Sequence, residues 1–195
     1  MRNRNTITKG FTLIELMVTM ALVAILMAVA VPSMRDFQRN SQLTAFANTM
    51  LATINAAKSE AMKRGRSVVI VPLSGSDWKT GMIVFVDMDN NRTYDSATDV
   101  LIQNNPMTAP DYLTVTPANG PPSASPPYMR FDAQGYAKPA GSDTKNFTLS
   151  IVRNDVTGSE VPRQTRYLKV ATTGRARICT PASSSDATCS AASTS

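Results

Sequence analysis

The 195-residue chain contains no histidine, only two cysteines and a single tryptophan. Without imidazole there is no Ser-His-Asp or Cys-His catalysis, no HExxH zinc site and no histidine pH switch. Two thiols without histidine also make a poor zinc site. The acids are scattered, mostly beside turn-forming residues, as at Asp77, Asp111, Asp132, Asp143 and Asp155. We therefore predict that the protein is not an enzyme and holds neither a metal nor a cofactor.

Charged residues are nearly absent from one long segment near the N-terminus. Residues 1–10 carry three basic side chains and no acid, and residues 11–31 read FTLIELMVTMALVAILMAVAV, with Glu15 as the one ionisable group. A helix of this length spans about 31 Å, close to the hydrocarbon thickness of a bilayer. Because the basic flank comes first, we expect a single membrane-spanning helix with a cytoplasmic N-terminus.

The residues alone leave two interpretations of this segment open. A secretory signal peptide would be cut after Ala30, at Ala28-Val29-Ala30, and would release a soluble binding protein. Against this, the apolar run is longer than an ordinary signal core. A carboxylate inside it also costs about 2.5–3.5 kcal/mol on the gentler insertion scales. Glu15 is therefore expected to meet a cation or to have a function.

The helical pattern continues beyond the apolar run but changes character. Apolar residues recur at three-four spacing over 43–61, with Lys58 as the polar exception. Gly65 after two cations is a helix stop. We predict one helix over 11–64, kinked or interrupted at Pro32.

Short β-prone runs separated by Gly, Pro, Asn and Asp fill the rest of the chain. Without a helical stretch between them, they indicate an antiparallel β domain resting on the amphipathic half of the helix, an α+β fold. The strands are predicted at 67–71, 82–86, 100–103, 112–116, 128–131, 147–152, 166–171 and 175–179. The predicted domains are a leader 1–10, a transmembrane half-helix 11–31, an amphipathic half-helix 32–65, a β domain 66–179 and a flexible tail 180–195.

The two cysteines, Cys179 and Cys189, lie late in the chain. Outside the cytoplasm they are free to form a disulfide, and this is the pairing that we predict. It would tether the Ser/Ala/Thr-rich tail over 180–195, which otherwise has little reason to become ordered. A Pro/Ser-rich loop at 118–127 also interrupts the predicted strands.

An Asp- and Asn-rich segment, VDMDNNRTYD at 86–95, superficially matches a calcium loop. An EF-hand needs Gly at its sixth position and Glu at its twelfth, where this chain has Arg92 and Thr98. We therefore predict an acidic hairpin loop and keep calcium as the less favoured alternative.

A basic hairpin is predicted near the C-terminus. Residues 162–179 carry four Arg, one Lys and no acid. Strand alternation places the apolar side chains of both strands on one face and the polar ones on the other. The predicted exposed patch, Tyr167, Lys169, Arg175 and Arg177, suits a phosphate backbone. On the pattern alone, an ordinary solvated strand face is favoured over a binding site.

Several motifs together point to a known family. The sequence KGFTLIE at 9–15 resembles the class III leader and processing site of type IV pilins and pseudopilins. With the long helix, the VFVD strand at 84–87 and the GRAR stretch at 174–177, nearly the whole chain resembles the type IV pilin-like GspH/FimT family. This family comprises the H pseudopilin of type II secretion and the related minor pilins T and U.

The resemblance implies processing, assembly and a binding role. A prepilin peptidase would cut after Gly10 and methylate the new amine of Phe11, which Glu15 would face. The chain would join other major and minor pilins in the tip or initiating complex of a type IV pilus, or other pseudopilins in a type II secretion pseudopilus. In members linked to natural transformation a Gly-Arg-x-Arg stretch is implicated in DNA binding, and Arg175 and Arg177 match it.

The predicted location and partners follow from the same resemblance. The protein is expected in the bacterial inner membrane, with its C-terminal domain periplasmic, and then in the filament. The expected partners are prepilin peptidase, other pilins or pseudopilins, inner-membrane lipid and double-stranded DNA.

Overall fold

The computed structural model describes residues 10–138 and 146–192. The chain divides into two compact units, residues 1–41 and residues 42–195. Apart from Gly10, the predicted leader lies outside the described residues. Helix α1 (Leu13–Arg64) is the only α-helix among the described residues, and eight strands follow it.

The described part of the first unit is helical from Leu13 onward, and its side chains from Phe11 to Gln38 are exposed. The large apolar residues between Phe11 and Phe37 are all exposed. Within the described residues, α1 is the one helix long and apolar enough to cross a membrane. Pro32 lies inside α1 and does not interrupt it. A proline removes one backbone N–H, and the hydrogen bonds on either side maintain the helix.

The strands of the second unit form two antiparallel sheets. They are β1 (Val68–Ser74), β2 (Asp77–Val86), β3 (Val100–Pro106), β4 (Leu113–Asn119), β5 (Met129–Phe131), β6 (Phe147–Arg153), β7 (Thr165–Val170) and β8 (Ala176–Cys179). The first sheet has the order β3-β2-β1-β5 and the second β4-β6-β7-β8. Every predicted strand is present, and the predicted α+β class with antiparallel strands is confirmed.

A single large core joins the second half of α1 to the inner faces of both sheets. Side-chain hydrogen bonds from each sheet help to hold the helix on this core. Asn105 Nδ2 donates to Thr53 Oγ1 at 3.0 Å, and Arg166 Nη2 donates to Thr44 Oγ1 at 3.2 Å. The helix contributes a buried stripe at three-four spacing, namely Leu43, Phe46, Ala47, Met50, Thr53, Ile54, Ala57 and Ala61. Each large apolar side chain in such a stripe stabilises the fold by about 1.5–3 kcal/mol.

The Pro/Ser-rich loop at 118–127 packs on the domain. It contains a short 3-10 turn, Pro121–Ser123. Trp78 is fully buried, and its Nε1 donates to the carbonyl of Pro122 at 3.3 Å. Because a buried indole N–H needs an acceptor, this loop completes the environment of the single tryptophan.

Candidate functional site

Helix α1 begins with reciprocal hydrogen bonds between Thr12 and Glu15. The backbone N–H and the Oγ1 of Thr12 donate to Glu15 Oε2 at 2.9 and 2.8 Å, and the Glu15 N–H donates to Thr12 Oγ1 at 3.3 Å. This arrangement is a capping box, which satisfies N–H groups that the first helical turn would otherwise leave unpaired. The Thr-x-x-Glu spacing signals this cap in the sequence, and our predictions missed it.

The predicted processing residues lie directly before this cap. Gly10 and Phe11 are both exposed. Among the described residues, no atom lies within 4 Å of a Cβ built on Gly10. Among the described residues, the predicted cleavage site is therefore exposed on its C-terminal side.

The basic hairpin is present, but it does not have the predicted exposure. Tyr167 lies opposite Cys179, and Lys169 lies opposite Arg177, on the outer face of the second sheet. Arg175 is exposed, whereas Tyr167 and Arg177 are half-buried and Lys169 is only 1% exposed. The prediction of an exposed patch that includes Lys169 is therefore wrong.

The C-terminal tail lies along this outer face. Its residues, including Cys189, line a cavity of about 190 Å³ together with Thr165 and Tyr167 of β7. Further along, the Asn119 side chain at the end of β4 donates from Nδ2 to the carbonyl of Ala191 at 3.1 Å. Since β4 and β8 are the two edges of this sheet, the tail crosses its outer face from one edge to the other.

A disulfide ties the tail to β8, and one carboxylate orders the tail internally. Cys179 and Cys189 are bonded, with their Cα atoms 5.9 Å apart, and this confirms the predicted pairing. The Asp186 carboxylate accepts hydrogen bonds from the backbone N–H groups of Ala182, Thr188 and Cys189. These bonds hold the pKa of Asp186 well below its usual value. The described part of the tail thus has order beyond the disulfide, and the Asp-x-Thr turn spacing is its sequence signal.

Two cations of the basic hairpin, Lys169 and Arg166, are buried in the domain. Burial lowers the pKa of Lys169, and the charge of Arg177 lowers it further. Burial also lowers the pKa of Arg166, which points to the inner face and donates from Nη1 to the carbonyls of Arg163 and Thr165. An external anion therefore meets Arg175 first, with the half-buried Arg177 beside it.

The turn between β7 and β8 is seated on two other parts of the domain. Gly174 has φ +74°, and a Cβ there would lie 1.9 Å from the carbonyl oxygen of Gly135. The N–H of Ala137 donates to the Thr172 carbonyl at 3.0 Å. Lys58, the polar exception in the buried helix stripe, donates from Nζ to the Gly174 carbonyl at 3.1 Å. The glycine before Arg175 therefore allows a close backbone contact that a side chain would prevent.

The acidic loop is shaped by its own backbone. Carboxylate oxygens of Asp87, Asp89 and Asp99 lie within 4.8 Å of one another. Asp87 accepts the N–H groups of Asn91 and Arg92, and Asp99 accepts those of Met88 and Asp95. Burial raises the pKa of Asp87. These hydrogen bonds account for the acidic residues as parts of a structured loop, and we assign no metal to it.

The apolar N-terminal helix and the two antiparallel sheets packed on its second half define a type IV pilin-like protein. The model of the prokaryotic N-terminal methylation motif matches residues 7–31, and the model described as type II transport protein GspH matches residues 47–174. The latter covers more than half of the chain, so the chain belongs to the GspH family. Its members are minor pilins and pseudopilins with structural roles, which confirms the prediction that the protein is not an enzyme.

Individual relatives agree with this assignment. A fimbrial protein of Pseudomonas aeruginosa is 41% identical over 61 residues, which are 31% of this chain and 39% of that protein. The type IV major pilin protein PilE1 of Neisseria gonorrhoeae is 52% identical over 40 residues, 20% of this chain and 24% of that protein. The chain thus matches 39% or less of the length of these curated relatives.

The fold also matches a solved minor pilin. The crystal structure of the type IV minor pilin FimU of Pseudomonas aeruginosa (strain PAO1) superposes with a TM-score of 0.54 at 20% identity, covering 75% of this chain and 98% of that chain. At this identity the likeness concerns the fold. The methylation motif at the start of the apolar helix is thus a feature that this chain shares with the pilins it matches.

Proposed function

We propose that this protein is a minor pilin that is cleaved after Gly10 and joins the tip or initiating complex of a type IV pilus. Before assembly its N-terminus is cytoplasmic and its β domain is periplasmic. The observation that carries this proposal is the exposed apolar half of α1 with the carboxylate of Glu15 at its start. An exposed apolar helix of this kind is suited first to lipid and then to neighbouring helices in a filament.

The role of Glu15 follows from charge compensation. Cleavage after Gly10 creates an amine on Phe11, one residue before the Thr12 N–H that already donates to Glu15. In apolar surroundings a carboxylate is tolerated chiefly when it meets a cation and has its hydrogen bonds satisfied. We therefore assign Glu15 to pair with the Phe11 amine of its own chain or of a neighbour during assembly.

Two substitutions separate charge pairing from helix capping at this position. Glu15→Val removes both, whereas Glu15→Gln keeps the capping box, in which Gln replaces Glu well. We expect both variants to be cleaved after Gly10 and to be lost from the filament, since neither offers a carboxylate to the amine. Mass spectrometry of the mature N-terminus and immunoblotting of sheared filaments measure the two steps.

Normal incorporation of the Glu15→Gln variant would contradict charge pairing and leave capping as the role of Glu15. A mature chain beginning at Val31 would instead support the secretory signal peptide and overturn the pilin processing. The methylation-motif match at residues 7–31 favours a chain that begins with methylated Phe11.

We further propose that the protein binds DNA for natural transformation through Arg175 and Arg177. Arg175 is exposed, and the carbonyl before it is held by Lys58. Guanidinium groups pair well with phosphate oxygens and so contribute sequence-independent affinity. The GRAR stretch supplies these groups in the spacing of the DNA-binding family members.

Replacing both arginines by glutamine tests this role. The double variant Arg175→Gln, Arg177→Gln is expected to lose salt-dependent DNA binding and transformation while piliation stays intact. For each phosphate contact removed, the slope of log affinity against log salt falls by about 0.9 on duplex DNA. The matched control is Lys79→Gln with Arg163→Gln, which removes two charges elsewhere. Equal affinity of the two double variants in fluorescence anisotropy would remove the DNA-binding proposal.

The second candidate function is that of the H pseudopilin in a type II secretion pseudopilus. The description of the matched family model as a type II transport protein favours it. Deletion of the gene distinguishes the two. Loss of exoprotein secretion with normal pili would establish the pseudopilin, whereas loss of pili or of transformation with normal secretion would establish the minor pilin.

A further inference from the structure

We infer that the β7–β8 turn and the neighbouring turn at 132–138 form one surface for single-stranded DNA, in which Arg175 and Lys138 hold phosphates and Tyr136 stacks on an unpaired base. This inference rests on the proposed DNA-binding function and specifies its substrate. It also moves the expected DNA contact from the outer face of the second sheet, along which the tail lies, to the end of the domain where the two turns meet.

The two turns are held against each other by backbone contacts. The N–H of Ala137 donates to the Thr172 carbonyl, and Gly174 approaches the Gly135 carbonyl too closely for any side chain. Arg175 follows Gly174, and Tyr136 follows Gly135. The cation and the aromatic residue therefore project from adjacent, mutually braced backbone segments.

Lys58 of helix α1 contacts both turns. A Cβ built on Gly135 would lie 3.0 Å from Lys58 Cε, and one built on Gly174 would lie 3.2 Å from the same atom. The aliphatic part of Lys58 thus touches both turns, and its Nζ donates to Gly174. Bound phosphates would therefore meet a surface that is already in place, with little ordering cost on the protein side.

The charge of this surface suits a polyanion. Arg175 is exposed, and the side chain of Lys138 is 59% exposed. Lys138 lies 3.9 Å from Asp132, at the outer limit of an ion pair, so a phosphate can replace that contact at little cost. Asp132 itself is committed to the turn, since its Oδ1 accepts the N–H groups of Gln134 and Tyr136.

Tyr136 indicates unpaired bases rather than duplex DNA. It is 50% exposed, while the next residue, Ala137, is buried. Proteins bind single strands with exposed aromatic rings on a basic surface, because any base can stack on such a ring. In a duplex the bases are stacked on one another and are not available to the ring.

The test uses the mature full-length protein in detergent micelles and fluorescently labelled oligonucleotides of one sequence, offered as a single strand and as a duplex. Wild type is expected to bind the single strand more tightly. Tyr136→Ala is expected to lower single-strand affinity about tenfold and duplex affinity little, and Tyr136→Phe is expected to retain both. Lys138→Gln is expected to reduce the single-strand salt slope by about 0.7. The control is Arg163→Gln, an exposed arginine at the other end of β7.

The outcomes separate this inference from the function on which it rests. If Arg175→Gln, Arg177→Gln loses DNA binding while Tyr136→Ala and Lys138→Gln bind as wild type does, the inference fails and the proposed function stands. Equal or tighter binding of the duplex also overturns the inference. If wild type binds neither DNA but binds phosphatidylglycerol vesicles through Arg175, both proposals fail. Thermal unfolding of each variant verifies that it is folded.

Discussion

Gly174→Ala is expected to lower the free energy of unfolding by about 2–4 kcal/mol, since strain and steric overlap add at this position. A side chain at φ +74° is strained, and its Cβ would lie 1.9 Å from the Gly135 carbonyl oxygen. A Cβ and a carbonyl oxygen that are not bonded to each other cannot lie so close together, so the turn has to move. Its hydrogen bond to Lys58 and the position of Arg175 are then lost together, and we expect DNA affinity to fall with stability.

The matched control is Gly158→Ala. Gly158 also has a positive φ, +65°, but among the described residues no atom lies within 4 Å of its Cβ position. It therefore reports the backbone strain alone, about 1 kcal/mol. Denaturant unfolding followed by the fluorescence of the buried Trp78 measures both variants. Equal losses would show that the contact between the two turns is not needed.

Asp155→Ala is expected to lower the free energy of unfolding by about 3 kcal/mol, because it leaves a buried guanidinium without its carboxylate. Arg153 is 2% exposed, and its Nε and Nη2 donate to the two oxygens of Asp155 at 2.9 and 2.8 Å. For a domain of this size the melting temperature falls by about 2–4 °C per kcal/mol. Replacing both partners, as in Arg153→Met with Asp155→Ala, should recover much of the loss.

An exposed ion pair provides the comparison for this buried one. Glu60 accepts from Arg64 Nε at 2.7 Å on a partly exposed helix surface. Glu60→Gln should therefore cost less than about 1 kcal/mol. If Asp155→Ala cost no more than Glu60→Gln, the bidentate pair at the end of β6 would have no special role in stability.

The strands were predictable because β-prone runs and their Gly, Pro, Asn and Asp boundaries are local signals. The split into two sheets was not, since it depends on which distant segments pair. Strand β5 pairs with β1 at Val68 and Phe131. Strand β4 pairs with β6 and not with β5, the next strand in the sequence. Loop lengths and alternation do not specify such choices, whereas burial of a shared core does.

The candidate site was predictable to the extent that it depends on the alternation of side chains between the two faces of a strand. The face of Tyr167, Lys169 and Arg177 followed from strand periodicity, but what lies over that face did not. The position of the tail along it depends on the disulfide and on the contact between Asn119 and Ala191, which are 72 positions apart. Lys58 stood out in the helix pattern as an exception, and only the structure shows that it binds the carbonyl before Arg175.

The tail along the second sheet also bears on which charges of the domain are presented to solvent, independently of the core. Lys169 and Thr148 lie side by side on neighbouring strands and are both buried on that face. A segment anchored by Cys189 and Ala191 lies along the same face. Substitution or shortening of that segment would therefore change the charge the protein presents without altering any residue between the helix and the sheets.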